Sequence, residues 1–310
     1  MAVRLGLPLV AAIATVAVLA AGCGGGEDDG GGGAITADGS STVGPFVTKA
    51  AEDFRAAEDV DVTVGISGTG GGFERFCAGE TDLSNASRAI DPDEVAVCEE
   101  NGVEYIEFRV ATDALTNVVN TQNDWVTCLT VDQLKKIWEP GSKVTNWKQV
   151  DSSYPDVPLR LYGPGTDSGT FDYFTDVIVG EEGASRTDYS PSEDDNVIVQ
   201  GVSGEEGGLG YFGFSYFEQN QDTLKALEVN GGSGCVAPSA AAAQDGSYTP
   251  LSRPLYVYAK KSSFDDNEDV RNFVKYMFDN NETIAEESLF VPLSADQLAE
   301  QQTKYEDAAA

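Results

Sequence analysis

The chain has 310 residues, of which 52 are Asp or Glu and 19 are Lys or Arg, so its formal net charge is −33. Such an acidic chain is a poor partner for nucleic acid and for anionic membrane surfaces. A solubility-adapted surface explains the charge better than cation binding does. Histidine is absent, which excludes Ser-His and Cys-His catalytic pairs and the usual histidine-based zinc sites.

The N-terminus has the pattern of an export signal. Arg4 precedes an uncharged apolar run that ends at Leu19-Ala20-Ala21-Gly22-Cys23. A short apolar run followed by small residues is typical of a secretory signal peptide, and a cysteine after Ala-Ala-Gly is typical of lipoprotein cleavage. We predict a signal peptide at residues 1–22, a lipidated Cys23 and a flexible Gly-rich, acidic tether over 23–33. An uncleaved membrane helix is the alternative, but the run is shorter than the roughly 20 apolar residues that span a bilayer.

Cleavage after residue 22 would leave 288 residues, enough for about two domains. The net charge would become −34, because Arg4 is the one charged residue removed. Four cysteines follow Cys23 in the sequence. An even number of cysteines in an exported chain indicates two disulfides in an oxidising compartment, and four cysteines allow three pairings. Free buried thiols are the alternative.

Extended and helical patterns alternate along the chain, which predicts an α/β protein. The predicted strands are 60–64, 106–110, 159–162, 209–214 and 255–259. Apolar residues at helical spacing predict helices over 46–57 and 270–278. Ser294, followed by Gln297, predicts the start of a last helix.

Three segments share one form, in which a strand is followed by a loop of Gly, Ser and Thr and then by a helix. They are residues 39–45, 65–72 and 163–170. Each places backbone N–H groups and small hydroxyl donors at the positive end of a helix dipole, an arrangement that binds oxyanions. One such loop usually only makes a turn or a helix cap. Three in one chain, without the Walker lysine or the dinucleotide spacing, favour a small oxyanion over a nucleotide.

These three loops, in this order, resemble those of the periplasmic phosphate-binding proteins of phosphate-specific ABC transporters. The stretch 163–174 (GPGTDSGTFDYF) is similar to one branch of that family. So are 192–196 (SEDDN) with 200–202 (QGV), and 209–213 (LGYFG). The resemblance covers essentially all of residues 34–310.

The resemblance implies a type II periplasmic-binding-protein fold, in which two α/β lobes are joined by two crossing strands with the ligand cleft between them. Lobe 1 would comprise residues 34–113 and 254–310, and lobe 2 residues 114–253. The chain would leave lobe 1 near Asp113, after a strand over 104–110, and would return near Pro254. Disulfides within each lobe would then join Cys77 to Cys98 and Cys128 to Cys235.

The resemblance also implies binding roles in each loop. Thr42 would donate its hydroxyl and backbone N–H to the anion, with Ser41 and the Val43 N–H beside it. Thr69 matches the serine donor of the second loop. The hydroxyl and N–H groups at Ser168, Gly169 and Thr170 would cap the anion from lobe 2.

The sequence departs from the family pattern at two positions. Pro164 stands where a known relative has an arginine, and Arg88 is the expected replacement because a guanidinium suits bidentate phosphate binding. A structural ion pair is the alternative role for Arg88. Ser87 stands where relatives carry an aspartate that accepts a hydrogen bond from protonated phosphate and so disfavours sulfate. Asp167 is a candidate replacement for that acceptor, with a helix N-cap as the alternative.

The sequence therefore predicts a lipoprotein on the outer face of the cell membrane that binds inorganic phosphate with high affinity and delivers it to the permease subunits of an ABC importer. We expect a monomer that is not an enzyme and has no metal, cofactor or nucleic acid partner. Sulfate or molybdate is the alternative ligand. A secreted hydrolase with Ser168 as nucleophile lacks a histidine base. The acidic runs at 193–195 and 265–269 lack the spacing of an EF-hand calcium site.

Overall fold

A computed structural model describes residues 34–166, 168–192 and 194–310. The predicted signal peptide, the lipidated Cys23, the tether and Asp167 lie outside the described residues. Within the described ranges, no helix is both long enough and apolar enough to cross a membrane.

Strands and helices alternate along the described chain, as the sequence predicts. The strands are β1 Ile35–Gly39, β2 Val62–Val64, β3 Leu83–Ala86, β4 Tyr105–Asn120, β5 Cys128–Thr130, β6 Arg160–Pro164, β7 Ser190–Ser192, β8 Gly208–Gly213, β9 Leu224–Ala226, β10 Glu228–Asn230, β11 Cys235–Val236 and β12 Ser252–Lys260. The first helices are α1 Gly44–Glu58, α2 Gly68–Cys77, α3 Pro92–Glu100, α4 Val131–Trp138, α5 Trp147–Val150 and α6 Gly169–Phe174, which a π-helical turn at Thr175–Val179 extends. The remaining helices are α7 Asp195–Gly204, α8 Phe214–Glu218, α9 Ala240–Gln244, α10 Lys261–Asp266, α11 Glu268–Asp279, α12 Asn281–Glu287 and α13 Ala295–Ala309.

The described strands form a nine-stranded sheet and a three-stranded sheet. The larger has the order β2-β1-β3-β12-β4-β8-β6-β7, with β9 also paired to β4, and the smaller has the order β11-β10-β5. Strand β4 is central to the larger sheet. Its first part pairs with β12 as far as Ala114, and its second part pairs with β8 from Leu115 onward. One continuous strand therefore passes from one half of the molecule to the other.

Strand β4 extends ten residues beyond the end of the predicted strand at Val110. Every residue from Val110 to Asn120 is buried. A strand that is buried on both faces has no alternation of apolar and polar residues, so periodicity underestimates its length.

Two hydrophobic cores correspond to the two lobes of the fold. One core uses residues between Ile35 and Ala111 and between Leu255 and Phe290, and the other uses residues between Leu115 and Leu251. We name the lobes by the predicted division, with residues 34–113 and 254–310 as lobe 1 and residues 114–253 as lobe 2. The described chain forms one compact unit, so the lobes are in contact.

The helices that the sequence predicts are confirmed. In α11 the predicted apolar face is buried, and Phe273 packs 5.3 Å from Phe54 of α1, centroid to centroid. Helix α13 begins after Ser294, which forms a capping box with Gln297. The contact between Phe54 and Phe273 joins α1 to α11 in the lobe 1 core.

The predicted disulfide pairing is also confirmed. Cys77 is bonded to Cys98 at a sequence separation of 21, and Cys128 to Cys235 at a separation of 107. The first bond joins α2 to α3, and the second joins β5 to β11. Each disulfide therefore lies within one lobe.

The two disulfides are expected to differ in their effect on stability. Because the entropy that a crosslink removes from the unfolded chain grows with loop length, C128A/C235A should lower the free energy of unfolding by about 5 kcal/mol and C77A/C98A by about 3 kcal/mol. Urea unfolding of both double variants measures the difference. A larger loss for C77A/C98A would contradict this prediction.

Candidate functional site

The three predicted loops follow β1, β2 and β6 and end at the starts of α1, α2 and α6. Strands β1 and β2 are parallel neighbours in lobe 1, and β6 runs parallel to β8 in lobe 2. The carboxyl ends of strands in open α/β sheets are where ligands bind. The loops therefore lie where the fold class places a binding site.

The first loop is a tight turn over residues 40–43. The Ser40 N–H donates to the Asn85 carbonyl of β3 at 2.8 Å, and the Gly44 N–H donates to the Ser40 carbonyl at 3.0 Å. Gly39 before the turn has a φ of 139°, and a Cβ there would lie 2.1 Å from the Asn85 carbonyl oxygen. Glycine is therefore required at this position.

The second loop is shorter than predicted, because α2 already begins at Gly68. Thr69 thus lies in the first turn of α2. The Ser67 N–H donates to the Gly39 carbonyl at 3.1 Å, and a Cβ on Gly72 would lie 2.5 Å from Gly39 Cα. These close approaches hold the second loop directly against the first.

Thr69 and Ser87 form a hydroxyl pair beside these loops. Thr69 Oγ1 accepts the Ser87 N–H at 3.2 Å and lies 3.1 Å from Ser87 Oγ. A hydroxyl has one proton to donate. If one hydroxyl of the pair donates to the other, the second keeps its proton for a ligand.

The third loop brings lobe 2 against the first loop of lobe 1. Ser168 caps α6, since its Oγ accepts the Thr170 N–H at 3.2 Å. A Cβ on Gly169 would lie 3.1 Å from Thr42 Oγ1. The start of α6 and the first loop therefore lie next to each other across the two lobes.

A cavity of about 560 Å³ lies between the lobes. Ser41, Thr42, Thr69, Ser87 and Arg88 all line it from lobe 1. A smaller cavity of about 190 Å³ also has Ser41 and Thr42 in its lining, together with Gly169 and Thr170. Val43 and Ser168 line neither of these two cavities. Ser41 and Thr42 are thus common to the two parts of the predicted site.

Arg88 is engaged in ion pairs at the edge of the larger cavity. Its Nη1 and Nη2 each donate to a carboxylate oxygen of Glu94 at 2.8 Å, and Nη1 also lies 3.2 Å from Asp91. Burial raises the pKa of Glu94, but the hydrogen bonds from Arg88 and the Asp91 N–H outweigh it and hold that pKa below its ordinary value. The guanidinium of Arg88 is therefore already bound to carboxylates. This is the structural ion pair that the sequence analysis gave as the alternative role for Arg88.

Arg253 also lines the larger cavity, and the sequence analysis missed it. Its Nη2 donates to Thr42 Oγ1 at 2.8 Å, and its Nε donates to Asp113 at 3.2 Å. Its guanidinium carbon lies 3.8 Å from the ring centroid of Tyr173 in lobe 2. The available signal was its position next to Pro254, where the crossing strand was predicted to begin.

The Arg253 bond sets the direction in which Thr42 can donate. Arginine carries only donors, so Thr42 Oγ1 must accept in this bond and its own hydroxyl proton points elsewhere. Among the described residues, Arg253 Nη1 has no hydrogen-bond partner, and Arg253 lines the larger cavity. Thr42 and Arg253 therefore both have donors available for an anion.

Asp113 holds Arg253 from the opposite crossing strand. The two residues are register partners in β4 and β12, and Asp113 is only 6% exposed. Burial raises the pKa of Asp113 above its ordinary value, while the charge and hydrogen bond of Arg253 act in the opposite direction. The buried carboxylate depends on Arg253 for its compensation.

Three carboxylates line the cavity from lobe 2, namely Asp172, Asp176 and Glu182. Asp172 is partly buried, whereas Asp176 and Glu182 are exposed. Burial, together with the charge of Glu182, raises the pKa of Asp172, and Arg253 acts in the opposite direction. Of the three carboxylates, Asp172 is therefore the most buried. It is the one best suited to accept a hydrogen bond from a ligand in the cavity.

Comparison with known proteins shows what the whole chain is similar to. Residues 25–281 match the PBP superfamily domain. The protein SphX of Synechococcus elongatus is 49% identical over 265 residues, which cover 84% of this chain and 78% of SphX. The phosphate-binding protein PstS of Staphylococcus saprophyticus is 42% identical over 275 residues, or 88% of this chain and 84% of PstS.

A solved structure has the same architecture. It is the crystal structure of a possible phosphate binding protein from Planctomyces limnophilus, which is 41% identical and superposes with a TM-score of 0.85. The match covers 90% of this chain and 99% of that one. The two-lobed arrangement is therefore shared over nearly the whole described chain.

The Arg253–Asp113 pair is expected to matter for stability in a pH-dependent way. Arg253→Gln leaves a buried carboxylate without its partner, which should lower the free energy of unfolding by about 3 kcal/mol at pH 8. The loss of free energy of unfolding should be smaller at pH 5. The pKa of Asp113 is raised in the folded state, so the folded variant binds a proton more strongly than the unfolded chain does and no longer buries a bare charge. Urea unfolding at both pH values measures this.

Arg88→Gln is the matched control, because its partner Glu94 lies in a partly exposed pair that contributes up to about 1 kcal/mol. An equal loss for both variants, or a loss for Arg253→Gln that does not change with pH, would contradict the role of Arg253 as the partner that compensates the buried Asp113.

Proposed function

Because the chain belongs to the phosphate-binding proteins of ABC transporters, within the PBP superfamily, we propose that it captures inorganic phosphate in the cleft between its lobes and delivers it to an ABC importer. It is a solute-binding protein and not an enzyme. The observation that carries the proposal is the convergence of uncharged donors and Arg253 on one cavity. A helix N-terminus with free N–H groups and hydroxyls binds oxyanions without a metal.

The proposed ligand contacts come from both lobes. Lobe 1 supplies the first loop with Ser41, Thr42 and Val43, and the hydroxyl pair of Thr69 and Ser87. Lobe 2 supplies the start of α6, with Ser168, Gly169 and Thr170. Of the two predicted charged residues, Arg88 is bound to Glu94, and Asp167 remains a candidate in the third loop. A ligand held by both lobes stabilises the closed state by its differential affinity for that state.

Arg253 takes the place in this proposal that the sequence analysis expected for Arg88. Its guanidinium is already held by Asp113 and Tyr173, so little side-chain freedom is lost when an anion binds. It also lies on β12, one of the two strands that connect the lobes. The charge that compensates phosphate would therefore come from the connection between the lobes and not from a loop.

The direct test is calorimetric titration of the extensively dialysed chain from residue 24 onward with phosphate, arsenate, sulfate and molybdate. Phosphate and arsenate should bind tightly with one site per chain. Tight binding of sulfate with no heat from phosphate would contradict the ligand while leaving the family intact.

The two arginines are expected to differ in their effect on phosphate affinity. Arg253→Gln should raise the Kd by about 100-fold or more, since it removes a partly buried charged donor. Arg253→Lys should raise the Kd by about tenfold, because it keeps the charge and loses the planar fork. Arg88→Gln should change the Kd by no more than about threefold, because its fork is already bound to Glu94. A larger effect for Arg88→Gln than for Arg253→Gln would return the ligand arginine to position 88.

Selectivity for phosphate over sulfate is proposed to depend on Asp172. A carboxylate that faces the anion can accept a hydrogen bond from protonated phosphate, whereas sulfate near neutral pH has no proton to donate. Asp172→Asn should therefore lower the ratio of phosphate to sulfate affinity by about tenfold or more. Asp176→Asn, one helical turn further along and exposed, is the matched control and should leave the ratio unchanged. An unchanged ratio in Asp172→Asn would assign the acceptor to another residue.

We further propose that the chain is exported and anchored on the outer face of the cell membrane through lipidated Cys23, that it acts as a monomer, and that its closed form docks on the permease subunits. The support is the predicted signal sequence and the cysteine after Ala-Ala-Gly. Labelling of growing cells with radioactive palmitate should mark the wild-type chain and leave Cys23→Ala unlabelled. Incorporation of label into Cys23→Ala would contradict the anchor.

A further inference from the structure

The lobes are also tied together by Gln244 at the end of α9, outside the linings of the two cavities described above. Its backbone carbonyl accepts hydrogen bonds from Gln297 Nε2 at 2.9 Å and from Arg109 Nη2 at 3.4 Å. Its side-chain Nε2 donates to the Pro292 carbonyl at 2.8 Å. Gln244 belongs to lobe 2 by the predicted division, and all three partners belong to lobe 1. One residue thus makes three hydrogen bonds between the lobes.

The lobe 1 partners of Gln244 are themselves firmly held. Gln297 Oε1 accepts the Ser294 N–H at 3.1 Å in the capping box of α13. Arg109 Nη2 also donates to Thr112 Oγ1 at 2.6 Å. Thr112 and Val291 exchange two backbone hydrogen bonds of 2.9 Å each, directly before Pro292. Gln244 therefore contacts a part of lobe 1 that is fixed to the crossing strand β4.

The chain on both sides of α9 is held by lobe 2. Before α9, Cys235 is bonded to Cys128 of β5. After α9, Tyr248 is 1% exposed within the lobe 2 core. Strand β11 ends at Val236, and the Tyr248 N–H donates to the Ala242 carbonyl of α9 at 3.0 Å, so α9 also contacts lobe 2. The short segments at residues 237–239 and 245–247 are the parts of the chain that must adjust if lobe 2 moves relative to Gln244. One of them contains Pro238 and the other contains Gly246.

We propose that α9 is a third connection between the lobes, a pivot that stays bound to lobe 1 through Gln244 while lobe 2 rotates around it. This inference rests on the proposed function, in which the lobes open and close around the ligand. Two neighbouring strands form a narrow ribbon that twists as well as bends. A third attachment beside the ribbon restricts rotation to one axis, which brings the start of α6 back to Thr42 on each closure.

The consequence for binding is a smaller range of open conformations. A ligand that needs contacts from both lobes binds more weakly when the competent arrangement is less populated. Loss of the pivot should therefore weaken phosphate binding without any change in the residues of the cavity.

The test variant is Gln297→Glu. Glutamate serves as well as glutamine in a capping box, so the start of α13 is preserved, while the donor to the Gln244 carbonyl is lost. Gln133→Glu is the matched control, because Gln133 holds the same position in the capping box of α4 and makes its bond within lobe 2. Gln244→Ala is the second variant, which removes the bond to Pro292 and leaves the α13 cap intact.

The measurement is the distance distribution between spin labels on the two lobes. Noncanonical labelled residues at the exposed positions Val97 in α3 and Val197 in α7 avoid the native cysteines. Without phosphate, Gln297→Glu and Gln244→Ala should give broader distributions than the wild type, and with phosphate all should narrow to the same distance. Calorimetry should show the phosphate Kd raised by about threefold to tenfold in both variants, and unchanged in Gln133→Glu.

Distributions of wild-type width together with an unchanged Kd in both Gln297→Glu and Gln244→Ala would overturn the pivot. A wild-type distance that does not respond to phosphate would contradict the proposed closure instead. In that case the width of the phosphate-free distribution still decides whether Gln244 restrains the lobes.

Discussion

The ion pair between the partly buried Arg253 and the buried Asp113 is the interaction around which the molecule is arranged. It joins the two crossing strands, β4 and β12, at the level where the two cores separate. The same guanidinium contacts Thr42 of lobe 1 and the ring of Tyr173 of lobe 2. A buried carboxylate without such a partner is strongly unfavourable. The need to compensate Asp113 therefore places a positive charge where both lobes and both connecting strands meet.

An anion site in a chain of net charge −33 is physically consistent. At physiological salt the Debye length is about 8 Å, so exposed carboxylates at a distance have little effect on a bound anion. The groups in the cavity act at hydrogen-bond distance, where dipoles and one arginine suffice. Carboxylates within the cavity, such as Asp172, are too close to a bound anion to be screened by salt. The anion must donate a hydrogen bond to such a carboxylate, or the two negative charges repel each other.

The departures of this chain from the family pattern concern the identity of single residues, because the three loops still follow β1, β2 and β6. The resemblance places Pro164 of the third loop where a known relative has an arginine, and the guanidinium that we propose in its stead is that of Arg253 on β12, which donates to Thr42. Arg88 was the nearest candidate along the sequence, but Glu94 lies one turn into α3 and binds its fork. Closeness to a motif in the sequence does not predict which ion pair forms when several carboxylates compete.

The sequence by itself determined the α/β class, the three helix-opening loops and the disulfide pattern, because these depend on local periodicity, on glycine and hydroxyl content and on a resemblance that spans the chain. Helix α13 was predictable from Ser294 and Gln297 for the same local reason. Only the tertiary structure decided the full length of β4, the contacts of Arg253 and the contacts of Gln244. Those depend on strands buried on both faces and on partners more than 100 residues apart, such as Arg253 with Asp113 and Gln244 with Arg109. Such pairings leave no periodic signal, since they are set by how the two lobes pack and by which buried charge must be compensated.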